Sequence, residues 1–590
     1  MTEKRRDVLT ALALFFLAFG ERFFFLWGSL DKESLFSVFY YGDVFYYHGY
    51  ATGLLHGTLF NNGLPWHAPL FSFFLFLIYT LGGQGVPAFL IKIFLSVLGA
   101  ASIVLLYLMG RRVVGRGAAL LAGILSCFSF SQLVLCSSLN EDCLYQFLLF
   151  SLLFLFCYEQ DRWTILTVVL LGFLAGFTAL SGDHFLSFLP LLGVALYFGF
   201  RARALARVGG LVVFFLAAAL AIAPWALRNY RLIGVYNETN QQGHVEPLSR
   251  FAPVTDTAGA DFLSANNVLA RGEFSREYIS GPNTGYLIPL DAPLERHLFN
   301  HGWREGARFF EEHPARAMQL MGRKLGIFLQ SLSLGFFRDD LPLGLRGIRR
   351  PADIFSPDGR WFLYVQLCLL LFGLGLHARR RGRGLVFHLL FLHALGMTLL
   401  FFGFVKRGVV LLPLFYLFIA YGIVFLFPKF RIPETGKAAT ALKIAGIVAV
   451  ALLFCRDAIR SANPIELKIS GSLTEDGTRL IQENTIRIVP LKETKEKEEP
   501  GQKRPNPAPL AARIPARMLP AAARRASGVG GIPRGRADGA RDGTGQSRSV
   551  LRPGPAPFFR RGGGRRAGDI VFLRGIIYNR LCDNINHPAL

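Results

Sequence analysis

The chain alternates long apolar runs with short polar breaks. Runs rich in Leu, Phe, Ala, Val and Ile recur at 8–30, 86–109, 116–136, 143–158, 163–180, 184–200, 208–226, 361–377, 385–404, 409–427 and 439–455. Their lengths suit helices crossing a hydrocarbon slab of about 30 Å. Amphipathic helices of a soluble protein would interrupt such runs with polar faces. The pattern predicts an all-α polytopic membrane protein with about 11 transmembrane helices, in a range of 11 to 13. Two marginal segments, 69–82 and 316–337, set that range: the topology closes if 316–337 lies in or dips into the outer interface, or if it spans together with a segment such as 69–82.

Composition agrees with a bilayer solvent, since 52% of residues are hydrophobic and the mean hydropathy is +0.38. The net charge of +24 resembles that of a nucleic-acid binder, but residues 501–590 hold 17 basic against 4 acidic residues, so much of the excess sits in the C-terminal tail and no nucleic-acid partner is expected. The remaining basic residues gather in loops. Lys4, Arg5 and Arg6 precede the first run, Arg111, Arg112 and Arg116 follow the second, Arg201, Arg203 and Arg207 follow the sixth, and another cluster spans Arg379 to Arg383. Positive loops face the cytoplasm. This places the N-terminus inside and 31–85, 137–142, 181–183 and 227–360 outside.

The first run is expected to remain as a signal anchor, because Glu21 and Arg22 interrupt it and no small-residue cleavage site follows. Trp27, Trp163, Trp225 and Trp361 fall at predicted helix ends, the level amphipathic rings prefer. The seven cysteines show no metal-ligand spacing, and those in the apolar runs read as small hydrophobes. Five regions follow: an N-terminal membrane domain 1–226 with an acidic first outer loop, an extracytoplasmic segment 227–360 with a helix over Phe309 to Phe337, membrane helices 361–456, a polar extension 457–500, and a basic Pro/Gly/Arg-rich tail 501–590. The tail has too few aliphatics to offset backbone ordering and is expected to be disordered.

Ionisable groups are costly in a bilayer, so those in the bundle or at its mouth are informative. Glu21 and Arg22 either neutralise each other or touch a substrate. Asp43, amid Tyr46 and Tyr47 in the first outer loop, is either a general base for an acceptor hydroxyl or a solvated loop acid. Glu141-Asp142 and Asp183-His184 either cap helix N-termini or serve a site. Three separate acidic clusters on one membrane face favour a site. The string Ala223 to Gly234 ends a helix and opens the large outer segment. Its Arg228 suits a phosphate, whose oxygens the guanidinium fork binds in pairs, or else anchors the interface. Lys406-Arg407 begins a helix on the side the positive-inside rule disfavours, which requires a reason.

Together these residues resemble the polytopic transferases that use polyprenyl-phosphate sugars, in the family 39 group of protein mannosyltransferases and lipid A aminoarabinose transferases. The resemblance covers about residues 8 to 430. It rests on the order and spacing of Asp43 with Tyr46 and Tyr47, His67-Ala68-Pro69-Leu70, Glu141-Asp142, Gly172 to Pro190, Pro224-Trp225 through Gly234, Glu312-His313-Pro314 with Arg323-Lys324, and Lys406-Arg407 with Leu412-Pro413. Gly182-Asp183 stands where the family often has Arg-Pro, Lys406-Arg407-Gly408 where it has an Arg-Tyr-Arg-like string, and Ala68 where it has a proline.

The resemblance implies a GT-C fold in the plasma (inner) membrane, an extracytoplasmic active site, and inverting transfer of a sugar from a polyprenyl phosphate to a lipid, glycan or protein acceptor. It places the catalytic base on Asp43. Arg228, Lys406 and Arg407 are expected to bind the donor phosphate, and Glu141, Asp142 and His67 to position the acceptor or a metal. No cofactor is required by the pattern, which leaves room for a divalent metal ion; membrane lipids complete the partners. A transporter or flippase, or a non-catalytic member of the same fold, is the alternative.

Overall fold

The computed structural model describes residues 3–29, 32–35, 43–57, 66–83, 86–159, 164–199, 204–239, 247–255, 257–273, 293–332, 360–378, 384–427, 465–468 and 487–490. All of them belong to one compact unit, Met1–Glu498. The run at 439–455, the cluster at 379–383, Trp163 and the tail 501–590 lie outside the described residues.

The helices are α1 (Glu3–Gly28), α2 (Val44–Leu55), α3 (Leu70–Gly82), α4 (Ala88–Val113), α5 (Arg116–Cys127), α6 (Phe130–Leu135), α7 (Asp142–Glu159) and α8 (Ile165–Ser181). A 3-10 turn, Asp183–Phe188, leads to α9 (Leu189–Gly199), α10 (Ala204–Thr239) and α11 (Ala258–Ala265). The series ends with α12 (Pro293–Glu312), α13 (Pro314–Leu329), α14 (Arg360–Ala378), α15 (Leu385–Leu400) and α16 (Val405–Leu426). Four of them, α1, α4, α10 and α16, are long and apolar enough to cross a membrane, and seven shorter apolar helices accompany them. The chain is a multi-pass membrane protein.

Helix α16 is the hub. Every residue from Gly408 to Gly422 is buried, as an all-round apolar helix must be in the middle of a bundle. It packs on α5 and α14, while α4 packs on α1, α5 and α7. Gly115, at φ +101°, makes the tight turn from α4 into α5 that a side chain would strain. Helices α8 and α10 meet through Gly172-x-x-x-Gly176, where a Cβ would lie 2.5 Å from Phe214 O and 2.7 Å from Ala218 O. Only glycine lets the backbones approach this closely. At one end of the bundle Asp7 accepts from Arg111, Tyr107 and both the Nε and Nη2 of Arg116, so two of the loop arginines hold the helices together as well as carrying charge.

Four expectations change. The run 116–136 is two helices, because Ser129 takes extended backbone and bonds Ser131 through its hydroxyl at 3.1 Å. Helix α10 does not end at 226 but passes through Pro224 to Thr239. Trp225 therefore lies inside a helix rather than at its end, buried, its Nε1 donating to Val254 O at 2.8 Å. Asn229 Nδ2 donates to Ala252 O at 2.8 Å, and Asn237 exchanges two bonds with Leu248, so residues 248–254 splint α10 beyond the proline. These contacts offset the hydrogen bond that Pro224 removes. The helix expected over Phe309 to Phe337 breaks at His313, where Pro314 takes the first position of α13, and after a turn at Gln330–Leu332 residues 333–337 lie outside the described set. The chain is not wholly helical: β1 (Ile465–Lys468), which alternates apolar and polar residues, pairs antiparallel with β2 (Arg487–Pro490), Ile465 opposite Pro490.

Outside the main bundle α11 packs on α12 through Gly302, where a Cβ would meet the backbone of Gly259, and through Phe262 stacked on Trp303 at 4.6 Å.

Candidate active site

Asp43 occupies the N-cap of α2, yet its carboxylate makes no capping hydrogen bond. Capping is thus not what holds an acid there. One turn on, Tyr47 is buried and its phenol is raised well above its usual range, first by burial and then by the charges of Glu141, Asp43 and Asp142. The charges of three carboxylates, from two separate loops, thus act on one tyrosine. His67 packs its ring on Tyr46 at 4.8 Å and on Tyr47 at 5.6 Å.

Across from them, the first turn of α16 presents Lys406. Its Nζ lies 2.7 Å from Glu141 Oε1 and 3.0 Å from Asp142 Oδ2. Asn140 Nδ2 also donates to Asp142 Oδ2, at 3.0 Å. Glu141 Oε2 is buried with no hydrogen-bond partner among the described residues. Lys406 therefore stands with the residues expected to position an acceptor or metal.

Arg228 reaches the same region by another route. Its guanidinium lies over the Trp225 ring at 4.7 Å and donates to Asn229 Oδ1 at 3.0 Å, which orients the planar fork. Its charge acts on Tyr50, whose phenol is pushed up to about 12 by burial and by Tyr46 while Arg228 opposes the rise. Tyr46 in turn sits 6.5 Å from Tyr50, ring to ring. An aromatic line of Tyr50, Tyr46, His67 and Tyr47 runs between the arginine and the carboxylates.

Arg407 looks elsewhere. It lies over the Phe404 ring at 5.7 Å and is surrounded electrostatically by Asp183, Tyr145 and Asp261. Asp183 Oδ2 accepts from Thr255 Oγ1 at 2.6 Å, and His184 packs on Tyr145 at 4.9 Å. The structure thus groups Asp43, His67, Glu141, Asp142 and Lys406 around Tyr47, links Arg228 through Tyr50, and places Arg407 in an adjoining cluster. Tyr145 and Thr255 carried no sequence signal, being single polar residues in an apolar run and in an irregular stretch.

Lys324 belongs to neither group. It is 0% exposed, and its Nζ donates to Asn266 Oδ1 at 2.7 Å and Leu399 O at 3.3 Å. Burial lowers its amine to about 7. As for a divalent ion, Glu141 and Asp142 hold an ammonium in this arrangement, and among the described residues no three His, Cys, Asp or Glu side chains come together as a metal site would need. Among the described residues these side chains do not form a metal site.

No family model and no curated protein matches the sequence. Among solved structures, the chain is similar to the Archaeoglobus fulgidus oligosaccharyltransferase in its apo form, at 13% identity over 78% of this chain and 56% of that one, with a TM-score of 0.44. It is similar also to the archaeal oligosaccharyltransferase AglB of Archaeoglobus fulgidus in complex with an inhibitory peptide and a dolichol-phosphate, at 14% identity with the same coverage and TM-score. The chain spans a little over half the length of these proteins.

Proposed function

We propose that this chain is a membrane glycosyltransferase of the GT-C type, moving a sugar from a polyprenyl-phosphate donor to a hydroxyl of a lipid, glycan or protein acceptor at the outer face of the plasma (inner) membrane. The observation that carries the reading is that an uncapped Asp43, Glu141 and Asp142 all act on the buried Tyr47, with an arginine over the Trp225 ring at the far end of the same aromatic line. An orientation with the N-terminus cytoplasmic, about 11 spans, and the segment 227–360 outside belongs to this reading.

In the proposed reaction the Asp43 carboxylate takes the proton of the acceptor hydroxyl as its oxygen attacks the anomeric carbon. The bond from that carbon to the phosphate oxygen breaks on the opposite side, and the polyprenyl phosphate leaves with the electron pair. Configuration inverts in this single displacement. A phosphate is already a competent leaving group, so fixed positive charge matters more than protonation. Arg228 and Arg407 supply that charge, each from a planar fork that suits oxyanions. Glu141 and Asp142, fixed by Lys406, orient the acceptor, and His67 packs the aromatic wall beside it.

The test is transfer by the purified full-length protein from a panel of radiolabelled polyprenyl-phosphate sugars to lipid, glycan and peptide acceptors. A product of inverted configuration supports the reading. Donor hydrolysis and transfer both absent across the panel, with movement of labelled lipid between leaflets, would replace it with a flippase.

A further inference from the structure

Three groups that the proposed chemistry does not use meet where α1, α4, α6 and α7 come together. Cys136, the residue that ends α6, and Cys143, the second residue of α7, place their Sγ atoms 3.5 Å apart. Both are buried and neither is in a disulfide. Cys143 Sγ donates to Leu95 O at 3.1 Å on α4. Beside them lies Arg22, 1% exposed, whose Nη1 donates to Ala18 O at 3.0 Å in its own helix. Among the described residues its Nε and Nη2 have no hydrogen-bond partner.

Gly99 explains how these groups fit. A Cβ at that position would lie 2.6 Å from Cys136 Sγ and 2.8 Å from Arg22 Nε, so the thiol and the guanidinium share the gap left by the missing side chain. A buried guanidinium is costly unless anions or hydrogen bonds offset it, and Glu21, the neighbouring residue on α1, is buried as well. The ionisable group that meets it over Gly99 is a thiol, which becomes an anion on losing its proton.

We propose that Cys136 and Cys143 form a redox-active dithiol, with Arg22 holding Cys136 as the nucleophilic thiolate, whose oxidant is a small hydroperoxide. The Cys136 thiolate attacks the peroxide oxygen, the O–O bond breaks, and the alkoxide or hydroxide leaves to take up a proton. Cys136 is then a sulfenic acid. The Cys143 thiol attacks that sulfur, and its proton leaves with the hydroxyl as water. The dithiol has lost two electrons and the hydroperoxide has gained them. Closing the gap from 3.5 Å to a bond of about 2 Å is a small movement for two residues at helix ends. The bond would staple the loop 137–142, which carries Glu141 and Asp142. The oxidising side of the membrane is where that loop lies in the orientation proposed above, but the chemistry of the pair is independent of the transferase reading.

The experiment uses the full-length protein in detergent micelles, with hydrogen peroxide as the oxidant, followed by unfolding, alkylation and peptide mapping. The expected product is a crosslinked peptide pair containing Cys136 and Cys143, lighter by two hydrogen atoms, without alkyl groups and restored by a thiol reductant. Alkylation of both residues after a dose that has already oxidised the exposed Cys368 would overturn the proposal. In the Cys143→Ser variant, Cys136 should persist as a sulfenic acid that dimedone captures, whereas Cys136→Ser should give no adduct at Cys143; equal capture at both positions removes the assignment of the nucleophile. Arg22→Gln should slow crosslinking by about tenfold or more, through a smaller thiolate fraction, with Arg22→Lys restoring most of the rate. An unchanged rate in Arg22→Gln overturns the role of the arginine. None of these readouts depends on sugar transfer.

Discussion

Lys406 and Glu141, 265 positions apart in the chain, meet at 2.7 Å. Asp142 completes the contact at 3.0 Å, so one ammonium offsets two adjacent carboxylates at the junction of the loop before α7 and the start of α16. Without it, two negative charges would face each other in a partly buried setting.

Lys406→Met should therefore destabilise the protein. Breaking a fully buried pair costs roughly 3 to 5 kcal/mol; the partial exposure of these side chains, 23% and 16%, lowers the expectation below that range. Adding Glu141→Gln to Lys406→Met should recover part of the loss by removing one of the opposed charges. Thermal unfolding of both variants in the same detergent checks this, and no recovery in the double variant would remove the charge argument.

Asp43→Asn should lower transfer by roughly 10²- to 10⁴-fold, the usual contribution of a general base, while donor affinity and folded yield stay near those of the parent. Because the Asp43 side chain makes no capping bond, its loss should not unravel α2. Measuring rate, donor affinity and yield together distinguishes a base from a structural acid; full activity in Asp43→Asn would move the role to Asp142.

Arg228→Ala should weaken donor binding itself, since a phosphate clamp acts in the ground state as well as in the transition state. Arg228→Lys should rescue little, because an ammonium does not reproduce the guanidinium's placement over Trp225 or paired bonds to an oxyanion. Titration with a donor analogue is the readout, and a fully restored affinity in Arg228→Lys would argue for a simple point charge.

Stability should rise with pH through the window set by Lys324. In the unfolded chain its amine keeps its proton up to the ordinary value of 10.5, whereas in the fold burial brings that value to about 7. Between these values the unfolded state holds more protons, so raising the pH favours the fold, and the penalty applies in full below about 7. Lys324→Met should flatten this dependence. Unfolding temperatures from pH 6 to 9 measure it; an equal slope in the variant would assign the dependence to another group.

Topology is testable by labelling single cysteines introduced at Asp43, Asn240, Gly115 and Gly382. Label should reach the first two from outside and the last two from inside; entry at Gly382 from outside would break the proposed orientation.

Most helices were legible because a span has a local signature: an unbroken apolar run bounded by Arg, Pro or Gly. The end of α10 was not. Pro224 and the polar string after it look like a stop, and what sustains the helix is a strip of chain some 25 residues further on, bonded through Trp225, Asn229 and Asn237. That acids from separate loops lie at one end of the bundle was an expectation drawn from the order of the apolar runs. The partner of Lys406 could not be read this way, since hydropathy says at which level a charge lies but not which side chain stands opposite. The Cys136–Cys143 pair was obscured for a related reason: six residues that would be a wide gap along a helix fold into a turn between two helices.

The unbroken course of α10 sets a height. Its 36 residues make a rod about 54 Å long, against a hydrocarbon thickness of about 30 Å. A rod that starts near one surface must overshoot the other, and Arg228, in its 25th position, then rides on the shaft near the level of the lipid headgroups rather than on a swinging loop. A tilt of α10 by ten degrees would carry its far end sideways by about 9 Å while moving Arg228 by about 6 Å, by simple leverage on a 1.5 Å rise per residue. The splint at 248–254 would travel with it. Anything that tips this mast would therefore retune, in one motion, the depth of the guanidinium proposed to bind the donor phosphate and the position of residues 248–254.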